Sequence, residues 1–169
     1  MLNISSEYEN YLRNSQLKKI VIIGCLLVVS KSLMATSLIN DMQACQALIE
    51  FVDNKLNAAP LVYDKEEVEN VRKGLKSYNQ FIQREIVSPG LLKFNGGDKE
   101  KAHQMQKQID IYKNSLIKQL EMRYPQKRLL MDQVIAMNNC TKKSVPSNKA
   151  LETLKEALNT MLKLAKMNK

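Results

Sequence analysis

The sequence predicts an all-α protein, an up-and-down bundle of four to five helices preceded by an N-terminal signal or hydrophobic segment. The chain of 169 residues has only five Gly and four Pro, and its long segments are rich in residues that lose little free energy in a helix. Apolar residues in these segments recur at intervals of three and four, the spacing of one helix face. No run with a period of two is long enough for a sheet, and short links favour antiparallel neighbours.

The N-terminal segment contains an uncharged apolar run, residues 20–29, which follows a pair of Lys and ends before Lys31. A helix needs roughly 20 apolar residues to cross a bilayer core, and this run has half that number. A short apolar run behind a positive pair is typical of a secretory signal peptide. We therefore predict a signal peptide over residues 1–37 and a single helical-bundle domain over residues 38–169, periplasmic or secreted.

Cleavage after Ser37 agrees with the small residues that signal peptidases require, because Ala35 and Ser37 occupy positions −3 and −1. Cuts after Ser32 or after Ala35 are alternatives. Two other fates of the apolar run stay open. Cys25 ends a stretch that resembles a lipobox and would then carry a lipid, or the run remains uncleaved as an inner-membrane anchor with the N-terminus inside. Each alternative places residues 38–169 outside the cytoplasm.

The first two helices are expected on either side of a short connection. The first is predicted over residues 38–56. Asp64 is the expected N-cap of the second, because Glu67 lies three residues on and an acidic first turn suits the helix dipole. The second helix should end near Val87, since Ser88-Pro89-Gly90 cannot continue it. The residues expected to face the core are Ile39, Met42, Cys45, Leu48, Ile49, Val52, Leu56, Val68, Val71, Leu75, Tyr78 and Ile82.

The remaining helices are bounded by turn residues. Asp98 follows an Asn-Gly-Gly turn and is the expected N-cap of the third helix, which ends near Arg123 because a residue before Pro125 avoids the helical region. Pro125 then begins the fourth helix, which ends near Cys140, and Ser147 caps the last one. The expected inward residues are Ala102, Met105, Ile109, Tyr112, Leu116, Leu120, Leu130, Met131, Val134, Met137, Leu151, Leu154, Leu158, Met161 and Ala165.

Two cysteines of the predicted domain indicate a disulfide. Of the three Cys, Cys25 lies in the apolar run, which leaves Cys45 and Cys140, an even number in an oxidising compartment. In an up-and-down bundle, a residue early in the first helix and one at the end of the fourth lie at the same end. The bond would close a loop of 95 residues, worth roughly 4–5 kcal/mol in the chain-entropy account. The alternative is two buried free thiols.

The chain carries a formal net charge of +9, and a surplus of this size favours anionic partners. After export these would be membrane phosphates, cell-wall carboxylates or an acidic protein, with no role for nucleic acid. The Lys and Arg are spread over every segment, which is also typical of a solvated surface. The region of the fourth helix carries a possible basic strip: Arg123, Lys127, Arg128, Lys142 and Lys143.

A short apolar patch follows the predicted end of the second helix. It consists of Leu91, Leu92 and Phe94. We expect it to pack under the end of the bundle. The alternative is an exposed patch that contacts a partner.

The sequence predicts no catalytic, metal or cofactor site. His103 is the only His, so one chain cannot supply a two-His metal site. The chain has no Gly-x-Ser-x-Gly, P-loop or dinucleotide-binding motif, and no Cys-x-x-Cys. The acids Glu66, Glu67 and Glu69 lie in a first helical turn, where carboxylates usually face solvent. We therefore do not expect an enzyme.

These observations favour a non-enzymatic exported (periplasmic) protein that acts by protein–protein binding, as an inhibitor, immunity or chaperone-like protein. The layout is similar in outline to small exported helical proteins that bind or inhibit other proteins, including immunity proteins against cell-wall hydrolases and acid-stress chaperones with one disulfide. This similarity is one of architecture. The alternative is a cell-envelope structural or membrane-surface protein whose basic face binds anionic lipid or wall polymer.

Overall fold

The computed structural model describes residues 37–58 and 63–167, apart from the side chain of Asn148. Within these ranges the chain forms helices and the links between them, without a strand, which confirms the predicted all-α class. Leu38–Lys169 forms one compact unit. The predicted signal peptide, its apolar run and its cleavage site lie outside the described residues.

Five helical rods occur in the described part of the chain. The second rod is continuous through three consecutive elements, and the others are single α-helices. The bounds are residues 37–58 for α1, Lys65–Phe81 for α2, Ile82–Val87 for a π-helix that continues α2, Ser88–Phe94 for α3, Lys99–Arg123 for α4, Met131–Lys143 for α5 and Asn148–Lys166 for α6.

α1 is the central helix, because it is buried on almost every side. The predicted stripe from Ile39 to Leu56 is buried, and so are Ala47 and Phe51, which lie off that stripe. A helix that is apolar nearly all round belongs in the interior. Three polar residues of α1 are buried with it, Gln43, Gln46 and Lys55.

α2 and α3 run antiparallel to α1. Near the end of α1, Asp53 accepts a hydrogen bond of 2.7 Å from Arg72 Nε of α2. At the start of α1, Ile39 lies against Gly90 of α3, where an added Cβ would be 2.8 Å from Ile39 Cδ1. α5 is antiparallel to α1 as well, because Cys140 near its end is bonded to Cys45 near the start of α1.

α6 packs against α2 in the opposite direction. Asn70 Nδ2 donates a hydrogen bond of 3.1 Å to Thr160 Oγ1, and Gly74 faces an earlier turn of α6. A Cβ on Gly74 would lie 2.4 Å from Ala157 Cβ and 2.7 Å from the carbonyl oxygen of Thr153. The missing side chain therefore allows the two helices to approach closely.

α4 is inclined to α1, as two contacts between them indicate. Lys113 Nζ is 2.5 Å from Glu50 Oε1, and the ring centroids of Tyr124 and Phe51 are 6.1 Å apart. Lys113 and Tyr124, the residue that caps the C-terminus of α4, are separated by roughly 16 Å along the helix axis, whereas their two partners on α1 are adjacent residues.

α4 is the least buried of the described helices. Of its 25 residues, Ile117 alone is buried, with 9% of its surface exposed. Tyr112 was expected to face the core and is instead exposed, as is the neighbouring Ile111. The periodicity of α4 identified a helix correctly, but this helix buries only part of its apolar stripe.

The second rod continues past its predicted end at Val87, so that prediction is wrong. Pro89 lacks an N–H, and in a regular α-helix its ring clashes with the carbonyl four residues back. The preceding turns are π-helical over Ile82–Val87, and the Ser88 N–H donates to the carbonyl of Gln83. This π-helical segment ends directly before Ser88-Pro89, and the rod continues as α3.

The rod ends instead at Phe94, where a glycine turn reverses the chain. Gly96 and Gly97 have φ angles of 64° and 87°. These values lie in the left-handed region that glycine adopts without a steric penalty. Asp98 then caps α4 by accepting a hydrogen bond from the Lys101 N–H, as predicted.

The predicted start of the fourth helix at Pro125 is also wrong, since residues 124–130 form an irregular link before α5. Tertiary contacts satisfy the backbone of this link. Lys55 Nζ donates to carbonyl oxygens within it, and burial lowers the pKa of Lys55. The Leu129 N–H donates a hydrogen bond of 2.7 Å to the Tyr63 hydroxyl. A link whose polar groups find such partners does not need to be helical.

Candidate partner-binding groove

An open apolar groove lies between α4 and α5, with α1 at its base. Its volume is about 440 Å³, within the range of roughly 300–1,000 Å³ that is typical of ligand clefts. We call it the α4–α5 groove. Its apolar lining is Ala44, Leu48, Leu116, Leu120, Ala136 and the Cys45–Cys140 disulfide, and its rim is Asp41, Gln119, Arg123, Asn139 and Lys143.

Each of the three helices contributes four residues with the same spacing, i, i+3, i+4 and i+7. The positions are 41, 44, 45 and 48 on α1, 116, 119, 120 and 123 on α4, and 136, 139, 140 and 143 on α5. This spacing places four side chains on one helix face. The face extends about 10 Å, or two turns.

The groove stays open because small residues lie where α1 and α5 face it. Ala44 is exposed and Ala136 is only half-buried, so neither fills the space beside α4. Sequence reasoning missed this site, because it treated Leu116 and Leu120 as ordinary core residues. Ala44 and Ala136, small residues among larger ones on their helices, were a signal of open space beside them. The sequence does not say which helix faces meet there.

The disulfide joins the base of the groove to its α5 wall. The Sγ atoms of Cys45 and Cys140 are 2.12 Å apart and their Cα atoms 5.7 Å apart. The structure thus brings together the two cysteines that the sequence paired. Both are buried, with 3% and 7% of their surface exposed. The bond fixes the position of α5 relative to α1.

Tyr78 of α2 holds the end of α5 from the opposite side. Its hydroxyl donates a hydrogen bond shared between the carbonyl oxygens of Cys140, at 2.9 Å, and Ser144, at 3.0 Å. Burial raises the pKa of Tyr78 to about 12, so the hydroxyl remains a donor at neutral pH. The α5 wall is therefore fixed by a covalent bond and by this hydrogen bond.

The rim of the groove carries one ion pair and one further cation. Lys143 Nζ lies 3.0 Å from Asp41 Oδ2. The Arg123 guanidinium lies over the ring of Tyr124, 5.5 Å from its centroid. Within residues 37–58 and 63–167, no carboxylate forms an ion pair with Arg123. The rim is consequently positive.

The structure distributes the predicted basic strip over the two ends of α5. Arg123 and Lys143 lie on the groove rim, and Lys142 is exposed beside them in the last turn of α5. Lys127 and Arg128 are exposed in the link before α5. Since α5 has 13 residues, its ends are roughly 20 Å apart.

The predicted apolar patch is divided by the end of α3. Leu91 is 3% exposed and belongs to the core, Leu92 is half-buried, and Phe94 is 49% exposed. The first of these therefore packs inside the bundle, as expected. Phe94 is the member that a partner would reach.

A second cleft, between α1 and α2, is charged on both walls. Its volume is about 560 Å³. Arg72 Nε lies 2.7 Å from Asp53 Oδ1, and this hydrogen bond raises the pKa of Arg72. Glu50 at its edge is paired with Lys113. Its principal charges thus neutralise each other, in contrast to the rim of the α4–α5 groove.

The chain matches no protein-family model, no curated protein and no solved structure. None of the helices in the described ranges has the length and apolar character of a membrane span.

Proposed function

We propose that the protein is an exported, non-enzymatic binding protein that holds a segment of another envelope protein in the α4–α5 groove. The observation that carries this proposal is the groove itself, an open apolar surface with a positive rim. Exposed apolar surface costs roughly 25 cal/mol per Å² in water. A contiguous apolar area with a polar rim is typical of an interaction site.

The fixed walls of the groove support a binding role. α1 is the buried core of the bundle, and α5 is joined to it by the disulfide and held by Tyr78. A preformed surface loses little conformational entropy when a partner binds. Such a surface suits an inhibitor, an immunity protein or a chaperone-like protein, each of which works by occupying a segment of its partner.

The disulfide and the apolar run at residues 20–29 together support export. Disulfides persist in oxidising compartments such as the periplasm. The intact mass of the native product, measured with and without reductant, tests this part. We expect a chain cleaved near Ser37 that gains two hydrogen masses on reduction. A full-length reduced chain recovered from the cytosol would contradict export.

Photocrosslinking tests the binding role itself. A photoreactive amino acid at Asn139, on the rim, should trap one discrete protein in producing cells. The same amino acid at Asn138, exposed but outside the groove, should not trap it. Ala44→Trp fills the base of the groove and should abolish the product at position 139. Equal trapping at both positions, or no loss with Ala44→Trp, would contradict docking in this groove.

The surface-binding alternative makes a different prediction about salt. Binding of the basic surface to phosphatidylglycerol vesicles would weaken steeply with rising ionic strength, because exposed charges are screened. Apolar docking in the groove should persist at high salt. Vesicle binding that accounts for the native location of the protein, and that Ala44→Trp leaves unchanged, would favour the alternative.

A further inference from the structure

We infer that the occupant of the α4–α5 groove is an amphipathic helix of the partner protein, with apolar side chains inserted between α4 and α5 and a carboxylate paired with Arg123. This inference rests on the proposed function and specifies the conformation and charge of the partner segment.

The walls of the groove favour a helix over an extended segment. All three walls are helices, whose backbone groups are already hydrogen-bonded within each helix. An extended segment would need an open strand edge to satisfy its own N–H and C=O groups. Gln119 and Asn139 are the uncharged polar side chains at the rim, too few for that purpose. A helix brings its backbone into the groove with its hydrogen bonds already made.

The size of the groove agrees with one face of a helix. Each wall presents two turns over about 10 Å. Two turns of an incoming helix place apolar residues at i, i+3 or i+4, and i+7 along the same length. A volume of about 440 Å³ accepts a few such side chains but not a whole folded domain.

The charge of the rim specifies the polar flank of that helix. Asp41 is already paired with Lys143, whereas Arg123 is exposed, with its guanidinium carbon 5.5 Å from the centroid of the Tyr124 ring. A guanidinium offers two parallel N–H donors to a carboxylate. A Glu or Asp beside the apolar face of the partner helix would therefore complete the rim.

The apolar run at residues 20–29 fits the groove less well than a partner helix that carries a carboxylate. Residues 20–29 contain no acidic residue, and Lys18, Lys19 and Lys31 flank them. A segment bounded by cations would be repelled by Arg123. The rim thus favours a different protein over the N-terminal segment.

Peptide selection against the native chain tests the inference. The probes are two displayed libraries of about 16-residue peptides, long enough for four turns. One library has a helix-forming host with randomised positions, and the other has a central Pro that prevents a continuous helix. Selection with the Ala44→Trp variant removes peptides that bind elsewhere. Asn40→Trp, exposed on the same helix but outside the groove, is the matched control.

We expect binders from the helical library, with apolar residues at helical spacing and a flanking Glu or Asp. Replacing that acid by Lys should weaken binding about fivefold, as for a partly exposed ion pair. Arg123→Glu should reverse this preference, which a merely structural role of Arg123 would not do. Ala44→Trp should abolish binding and Asn40→Trp should leave it intact.

Four outcomes would overturn the inference. Binders from the Pro library that Ala44→Trp excludes would show that the groove binds an extended segment, and the proposed function would stand. Helical binders without a preference for an acid would remove the role of Arg123. A dimer of the native chain that Ala44→Trp converts to a monomer would make a second copy the occupant. Failure of both libraries together with failure of the Asn139 crosslink would overturn the proposed function as well.

Discussion

Two buried polar side chains, Lys55 and Tyr78, position parts of the fold that no local sequence signal defines. Lys55 donates to carbonyl oxygens of the link between α4 and α5. Tyr78 donates to carbonyl oxygens at the end of α5. Each side chain satisfies backbone groups that a helix terminus or an irregular link leaves without partners. Both contacts join residues more than sixty positions apart.

Tyr78→Phe should lower the free energy of unfolding by about 1–2 kcal/mol at neutral pH, because buried carbonyl oxygens lose their donor. In the native chain, burial raises the pKa of Tyr78 from 10.0 to about 12. The folded state therefore prefers the neutral phenol. This contribution is complete below the unfolded pKa of about 10 and is lost as the pH rises through about 12.

Urea unfolding at several pH values measures this effect. Tyr112→Phe, at an exposed position on α4, is the control for loss of a phenol hydroxyl. The difference in unfolding free energy between the two variants should be largest near neutral pH and should shrink in strongly alkaline solution. A difference that does not depend on pH would contradict the role assigned to the Tyr78 hydroxyl.

At the scale of elements, helix contacts in this protein depend on small residues at a few crossing points. Gly74 allows α2 to approach α6, and Gly90 allows α3 to approach α1. Ala44 and Ala136 have the opposite consequence, because α4 does not close over them and the groove remains. The two glycines thus allow close contact between packed helices, whereas the two alanines line a space that no other helix fills.

Gly74→Ala should destabilise the protein by roughly 1–3 kcal/mol. The gain in helix propensity of up to about 1 kcal/mol does not compensate, because the new Cβ would meet Ala157 and a backbone oxygen of α6 at less than 3 Å. Gly90→Ala is the matched comparison and should cost less, since its Cβ would meet only side-chain atoms of Ile39, Cδ1 at 2.8 Å and Cγ1 at 3.0 Å, and no backbone atom. Thermal unfolding of both variants measures the order, and a more stable Gly74→Ala variant would contradict the packing.

At the scale of the whole molecule, the disulfide joins α1 to α5 and closes a loop of 95 residues. Replacing both Cys45 and Cys140 by Ala should lower the free energy of unfolding by roughly 4–5 kcal/mol in the chain-entropy account. This is a large share of the free energy of unfolding of a typical domain, roughly 5–15 kcal/mol. Reductant should destabilise the native chain to a similar extent and leave the double variant unchanged. Equal sensitivity to reductant would contradict the bond.

Predictions of helix ends succeeded where they depend on contacts between residues close in the sequence, and failed where they depend on contacts between distant residues. The N-caps at Asp64 and Asp98 were predicted correctly, because a cap is a contact between residues three apart or fewer. The helix end at Val87 was predicted wrongly, because the sequence signal of Pro89 is compatible with either a break or a π-helical turn. The second rod contacts α1 both before the π-helical turn, through Arg72, and after it, through Gly90.

The candidate site shows the same limit. Cys45 and Cys140 were paired from their number and their places in a bundle, and the structure brings them together. Arg123 and Lys143 were named as basic residues, but their common rim was not foreseen. The groove requires faces of α1, α4 and α5 to meet, and the residues of these three faces are far apart in the sequence.

The sequence by itself determined the all-α class and the approximate place of most helices, because periodicity and caps are local patterns. It also favoured the Cys45–Cys140 pair, because two cysteines remain in the predicted domain. The tertiary structure alone decided that α1 is central, that α4 is mostly exposed, and that an apolar groove remains between α4 and α5. These features depend on contacts between residues far apart in the chain, and the same apolar stripe satisfies several such arrangements until the helices pack.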